Sequence, residues 1–304
     1  MSNTITQLNR NKGKQTVPNL KQVLAQKAMH KSIEIRTQFG FALNSPICIY
    51  DLCDKLKVKV RFVDINMEGM YIKGEEPTIL LSSLRPLSRR NFTCAHELGH
   101  HIFEHGSTVD ELQEGLGEFK TFSPDEFLVD TFAGFLLMPI LAVRRAFVSR
   151  SWNLTSATPL QFFIIACSFG VGYETLIKHM TYTLKMISHS QASSLLKLSP
   201  KAIRKGILGQ DSTDPLIIAD LQWSLSILDA EVGSNLLLPS MAESVKDTIT
   251  IQEELPLGRL FRANRPGLVR VYCPDSNWAI FVRISRYQFA GLSKFRHLED
   301  DEDE

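Results

Sequence analysis

The sequence predicts an α+β fold: a small antiparallel sheet packed on a helical core, then a helical pair, then a β-rich C-terminal region. Three observations carry this. Residues 57–63 and 69–82 form short apolar or alternating runs broken by a glycine–proline turn. Residues 20–36, 89–105 and 123–138 repeat apolar side chains at helical spacing. After residue 215, several short apolar runs are separated by Pro239, Pro256, Gly258 and the pairs Pro266-Gly267 and Pro274-Asp275.

Composition sets the outer limits. At 304 residues, with 44% hydrophobic and 22% charged residues, the chain has the apolar content of a globular protein and room for one or two cores. The net charge of +1 conceals an asymmetry: residues 1–40 hold seven cations against the single acid Glu34, and residues 299–304 are all acidic. Such ends are usually solvated. The basic start lacks interleaved aromatics, so direct DNA binding is not expected. The five cysteines (Cys48, Cys53, Cys94, Cys167, Cys273) include no C-x-x-C pair, which fits a reducing cytoplasm rather than a disulfide framework. No apolar signal segment follows the start, and the most apolar runs, 132–143 and 160–171, fall short of the ~18–20 residues a membrane span needs. The expectation is a cytoplasmic, soluble protein with no membrane partner; the pattern sets no oligomeric state.

In chain order, residues 1–19 read as a flexible basic leader. Leu20, Val23, Leu24, Ala28 and Ile33 give a helix to about residue 36. Ser45-Pro46 reads as the next helix start, with Pro46 at its first position and Ile47, Ile49, Leu52 and Leu56 on its apolar face. Residues 57–63 alternate charged and apolar side chains as a half-buried strand does, and 69–72 and 78–82 are two strands joined by Gly74-Glu75-Glu76-Pro77. A helix over 89–105 follows, buried through Phe92, Ala95, Leu98, Ile102 and Phe103 and stopped by Gly106. Residues 107–122 read as a loop. Ser123-Pro124-Asp125-Glu126 then combines a cap, a first-turn proline and early acids, opening a helix that Pro139 ends.

The chemistry concentrates in His96-Glu97-Leu98-Gly99-His100. On a helix the two histidines of H-E-x-x-H lie one turn apart on one face and can share a zinc ion, with Glu97 beside the metal to take a proton from an attacking water. Four of the eight histidines (His96, His100, His101, His105) fall within ten residues, more than core packing requires. The pattern points to a zinc hydrolase, a peptidase above all, with Zn2+ as cofactor. A third ligand is needed. The extended pattern with a glycine three residues after the second histidine and a further histidine three beyond is excluded, because Phe103 and Gly106 stand there. His105 lies nine positions after His96, about 180° around an ideal helix, and is expected to face away from the metal in a capping or surface role. Glu126, with Asp130 one turn later, resembles the arrangement of gluzincin peptidases. There the glutamate binds zinc, and the later acid supports a ligand histidine.

The flanks extend the likeness. The segment 91–100 (N-F-T-C-A-H-E-L-G-H) followed by 130–139 (D-T-F-A-G-F-L-L-M-P) resembles the ImmA/IrrE family of metallopeptidases, whose segments typically read F-T-x-A-H-E-L-G-H and E-x-x-A-N-x-F-A-x-x-L-L-M-P. Matched residue by residue, the resemblance implies zinc ligands His96, His100 and Glu126, Glu97 as general acid/base and Asp130 supporting a ligand histidine. The chain departs from the pattern at Val129, where alanine is usual, and at Asp130, where asparagine is usual. The resemblance covers about 45–188. Its last part, from Thr158-Pro159 through Phe169-Gly170-Val171-Gly172 to Ile177, resembles the helix-turn-helix-like pair after the family's core, expected here to pack against that core. It further implies a zincin-like core and cleavage of one protein partner, often a separately encoded helix-turn-helix repressor, in stress responses or mobile-element regulation. Together with the turn-separated runs after residue 215, which the resemblance does not cover, the expected organisation is a leader (1–19), a metallopeptidase core (20–150), a helical extension (151–198), a β-rich accessory domain (199–298) and an acidic tail (299–304). The rival reading is a zinc-stabilised protein-binding module without proteolysis. The presence of Glu97 argues against it, because a structural zinc site needs no carboxylate there.

Overall fold

In the computed structural model of the chain, the structure describes residues 19–110 and 122–298. The leader before residue 19, residues 111–121 of the expected loop and the acidic tail lie outside the described residues. Within them the chain is mixed α and β.

Helix α1 (Leu20–Gln38) opens on Asn19, whose side chain accepts from the Lys21 N–H at 3.2 Å. The next helix, α2 (Ile49–Lys55), begins three residues later than Ser45-Pro46 suggests. The cause is Arg36 at the end of α1. Its buried guanidinium donates to the carbonyls of Ala42 and Ser45 and, at 2.7 Å, to that of Leu136, so the Ser45 carbonyl is held outside any helix.

Three strands follow: β1 (Lys59–Val63), β2 (Gly69–Ile72) and β3 (Thr78–Ser82). They are not purely antiparallel, as expected from sequence, but mixed. β2 pairs antiparallel with β3, whereas β1 runs parallel to β3 from Lys59↔Thr78 to Val63↔Ser82. The reason is composition. β3 is Thr-Ile-Leu-Leu-Ser, with no charge to keep in water and with Ile79 and Leu81 fully buried, so it takes the middle of the sheet, while Lys59 and Arg61 of β1 stay exposed. A further strand, β4 (Thr108–Asp110), lies within the expected loop and pairs with β2.

Helix α3 (Leu87–Ile102) packs against β2 and β3 on one side and α4 (Pro124–Leu137) on the other, and α4 also packs against α1. α4 is buried from Leu128 to Leu137 apart from Asp130. With α5 (Ile140–Val148) it makes a stretch, Pro124–Val148, with the length and hydropathy of a membrane span, longer than the two twelve-residue runs suggest. Of its most apolar window, 72% is buried inside the fold, as in a core helix of a globular protein.

Helices α6 (Pro159–Ser168) and α7 (Tyr173–Lys178) meet at 100°, and α7 runs on as a π-helical turn, His179–Thr183. The outward side of α7 carries the ion-paired Glu174 and Lys178, 3.6 Å apart, while Tyr173, Leu176 and Ile177 are buried. The buried side chains match the expected packing of this pair against the core. His179 is buried, with its Nε2 3.1 Å from the Met138 carbonyl, and burial pulls its pKa down from 6.5 to about 4. Because the depressed value belongs to the folded state, the stability gained by keeping this ring neutral is complete above pH 6.5 and is lost as pH falls toward 4. The total is about 3 kcal/mol. Urea unfolding of wild type and His179→Gln at several pH values checks this: the wild type's advantage should shrink steadily between pH 6.5 and 4.

After α8 (His189–Leu195) and α9 (Pro200–Leu208), the described residues hold two four-stranded sheets. One has the order β5 (Leu216–Ile218), β7 (Asn235–Leu238), β10 (Gly258–Ala263), β9 (Ile249–Leu255). The other has the order β6 (Ile227–Glu231), β12 (Ala279–Ser285), β11 (Gly267–Tyr272), β8 (Glu243–Ser244). Leu236, Leu238 and Phe261 of the first meet Leu228, Val269, Val271, Ile280 and Val282 of the second in a shared core. Leu237 and Leu260 turn the other way, into the core of the helices. A last strand, β13 (Gly291–Leu292), pairs antiparallel with β1, so the C-terminal region re-enters the first sheet. Buried or largely buried ion pairs reinforce the join: Arg90 of α3 with Glu231 of β6 at 2.5 Å, and Arg150 after α5 with Asp220 at 2.6 Å.

Candidate metal centre

Two helix faces form the site. α3 places His96 and His100 one turn apart with their Nε2 atoms 3.1 Å from each other. α4 begins at Ser123, whose hydroxyl accepts from the Glu126 N–H, with Pro124 in the first turn. That start brings Glu126 over the pair, its carboxylate oxygens 3.3 Å from His96 Nε2 and 3.6 Å from His100 Nε2. The histidines are buried and Glu126 is 47% exposed, so the site has a closed floor and opens past the N-terminal end of α4.

The donor set suits a zinc ion. Four-coordinate zinc with bonds of ~2.0–2.1 Å sets its ligand atoms about 3.3 Å apart, and one donor atom from each of His96, His100 and Glu126 lies within 4.8 Å of the others. Two imidazole nitrogens and one carboxylate oxygen are also the ligand types of hydrolytic zinc sites. Asp130, one turn beyond Glu126, accepts from His96 Nδ1 at 2.8 Å, which leaves the Nε2 lone pair directed at the centre.

The approach of the two helices depends on Gly99. A Cβ there would lie 2.9 Å from Cβ of Val129 and 3.3 Å from the ring of Phe132, so a side chain would push α4, with Glu126 and Asp130, off the histidines. Val129, a departure from the family's usual alanine, is the residue that fills this contact.

Glu97 is fully buried on the side of α3 that faces β2. There Gly69 leaves the room it occupies: a methyl group at 69 would stand 2.6 Å from Thr93 Cγ2 and 3.0 Å from Glu97 Oε1. Gly69→Ala is therefore expected to displace the carboxylate. With Glu97 in its expected role of general acid/base, a roughly 10²-fold fall in kcat should accompany unchanged zinc content, measured by metal analysis and peptide-cleavage kinetics on one preparation.

Several residues stand elsewhere than the sequence suggests. α3 ends at Ile102, before Gly106, because Glu104 takes a left-handed conformation (φ 58°) and the chain turns back. The His105 N–H then donates to the His100 carbonyl at 3.0 Å, and His105 Nδ1 comes to 3.1 Å from His100 Nδ1. His105 thus does not face away from the site. The helical-wheel angle of 180° assumed a helix that has already ended. Three polar side chains from β2 and the start of α3 have partners of their own. Tyr71 hydrogen-bonds His101 Nδ1 at 2.8 Å, Arg89 pairs with Glu68 at 2.7 Å, and Arg90 pairs with Glu231 across the fold. Gly69, Gly99 and His105 carry no local sequence signal, because each matters through a neighbour distant in the chain or through the point where a helix stops.

Comparison with known proteins gives the same direction. No curated protein matches the chain. Residues 53–181 match Peptidase_M78, the IrrE N-terminal-like domain, a span that contains β1 to β4, α3, α4 and the α6–α7 pair. Over that span, which is less than half of the chain, the protein is similar to the IrrE N-terminal-like metallopeptidase domain.

Proposed function

We propose that the protein is a zinc-dependent endopeptidase that hydrolyses a peptide bond in a specific protein partner. The observation that carries this is the cluster of His96, His100 and Glu126, with the buried carboxylate of Glu97 on the same helix. His96, His100 and Glu126 would hold the ion. When bound, zinc supplies Lewis acidity, polarising the scissile carbonyl and making water acidic enough to be deprotonated. Glu97 accepts that proton and returns it to the leaving amine. Asp130 keeps His96 in the tautomer that offers Nε2. Closure of the floor by buried α3 and β2 leaves an approach past Glu126.

The partner we favour is a separately encoded helix-turn-helix repressor, cut in a stress response or in the control of a mobile element, as the family resemblance suggests. A cytoplasmic setting accords with five free thiols, including Cys53 and Cys94, whose sulfurs lie 3.7 Å apart in a thiol hydrogen bond and not a disulfide.

The test is to incubate the zinc-loaded protein with an extract of its source cells and label new N-termini. Cleavage of one or a few proteins is expected, ceasing on chelation and returning with zinc. Cleavage that continues at the same rate after the metal is stripped would overturn the reading.

A further inference from the structure

We infer that His105 and Asp125 form a second support for the metal site, orienting His100 as Asp130 orients His96, so that His105 is a positioning residue for zinc binding. The inference rests on the reading of His100 as a ligand.

Proton bookkeeping fixes the directions. His100 Nε2 faces His96 Nε2 at 3.1 Å and Glu126 at 3.6 Å, so this nitrogen presents its lone pair to the centre. The ring proton of neutral His100 therefore sits on Nδ1. Its neighbour there is His105 Nδ1, 3.1 Å away, which must accept. The proton of neutral His105 is then on Nε2, and the group on that side is the Asp125 carboxylate, 3.7 Å away. Each ring thus has one donor and one acceptor nitrogen, and the set runs from a carboxylate through two imidazoles to the metal position. The carboxylate at its end stands next to Glu126 on the first turn of α4, so the helix that brings the third ligand also brings this support.

The rest of the turn holds His105 in place. Left-handed Glu104 and the bond from the His105 N–H to the His100 carbonyl set its backbone. Its ring stacks near Phe103 (centroids 6.1 Å apart, planes 30° apart), and Phe103 in turn packs edge-on against Phe132 of α4 at 5.4 Å. His105 is mostly buried and Asp125 mostly exposed, so the ring contact is the stronger part of the support and the carboxylate the weaker.

The full-length protein, stripped and titrated with zinc against a chromogenic chelator, tests this. His105→Ala should weaken zinc binding 10–100-fold, the usual cost of losing a residue that orients a ligand. His105→Asn, whose side-chain carbonyl can accept from His100 Nδ1, should recover most of it, and Asp125→Ala should cost less than His105→Ala. Cobalt-substituted protein adds a spectroscopic readout: the visible bands should move in His105→Ala and return toward wild type in His105→Asn. Wild-type affinity in His105→Ala, or His105→Asn no better than His105→Ala, would overturn the positioning role. A loss in His105→Ala as large as that in His100→Ala would also overturn it, by making His105 itself a ligand. His100→Ala serves as the control for the underlying site: unchanged zinc affinity there would remove the ligand reading itself. Thermal unfolding of each metal-free variant separates loss of fold from loss of site.

Discussion

Replacing Glu97 by Gln is expected to lower kcat for peptide-bond hydrolysis by about 10²–10⁴-fold while zinc content and affinity stay near wild type. The side chain keeps its size, so the space beneath Gly69 is still filled and α3 is undisturbed. What is lost is the basic oxygen that takes a proton from water. The change should therefore fall on kcat and on kcat/KM alike, the mark of an interaction needed in the transition state and not in substrate binding. A substrate bound but uncut should also accumulate, so the variant doubles as a trap for the partner in a co-expression pull-down. The outcome separates the two functional readings. A zinc-stabilised binding module needs no general base, and its partner would be captured equally by both proteins. Cleavage by the zinc-loaded Glu97→Gln protein at the wild-type rate would sink the peptidase mechanism.

The parts of this site that could be read in the sequence are those governed by local rules. Helix periodicity alone puts His96 and His100 on one face, and the Ser123-Pro124 start alone marks where α4 begins. Glu126 and Asp130 came from resemblance to a family pattern, and the structure sets both against the histidines. His105 was misplaced for a local reason as well, since one left-handed residue ends the helix and reverses the side on which it falls. The mixed sheet could not be read because periodicity tells which strands exist and not which becomes central. In the C-terminal region, β6 and β10 do not stand out as apolar runs in the sequence, for a different reason. Each carries charges in its run, Asp229 and Glu231 in one and Arg259 and Arg262 in the other. Charges in a strand argue against burial until their partners are known, and those partners are far away in sequence: Arg283 and Arg296 for Asp229, Arg90 for Glu231, Asp214 for Arg262. The same distant pairing holds Asp229 down to a pKa of about 2: burial alone would raise it, and Arg296 and Arg283 more than reverse that.

Glu231→Ala is expected to destabilise the whole protein by about 3–5 kcal/mol, the usual cost of leaving one member of a buried ion pair alone. Arg90 is 2% exposed, so its guanidinium has no route to water when Glu231 is removed; the Phe62 ring 5.2 Å from it offers only a weak substitute. The pair joins the helix that carries His96, Glu97 and His100 to β6, an edge strand of the C-terminal sheets, and β13 and Arg150–Asp220 join the same two regions elsewhere. Loss should therefore appear as an earlier single transition in urea, followed by both tryptophan fluorescence and circular dichroism, and not as separate melting of the C-terminal sheets. The double replacement Arg90→Met with Glu231→Leu removes both charges and fills a similar volume, so it should recover most of the lost stability. A Glu231→Ala protein with the wild-type urea midpoint would show that the pair contributes nothing to the fold. A double variant as unstable as the single one would show instead that specific geometry, and not an uncompensated charge, is what Glu231 supplies to the metal helix.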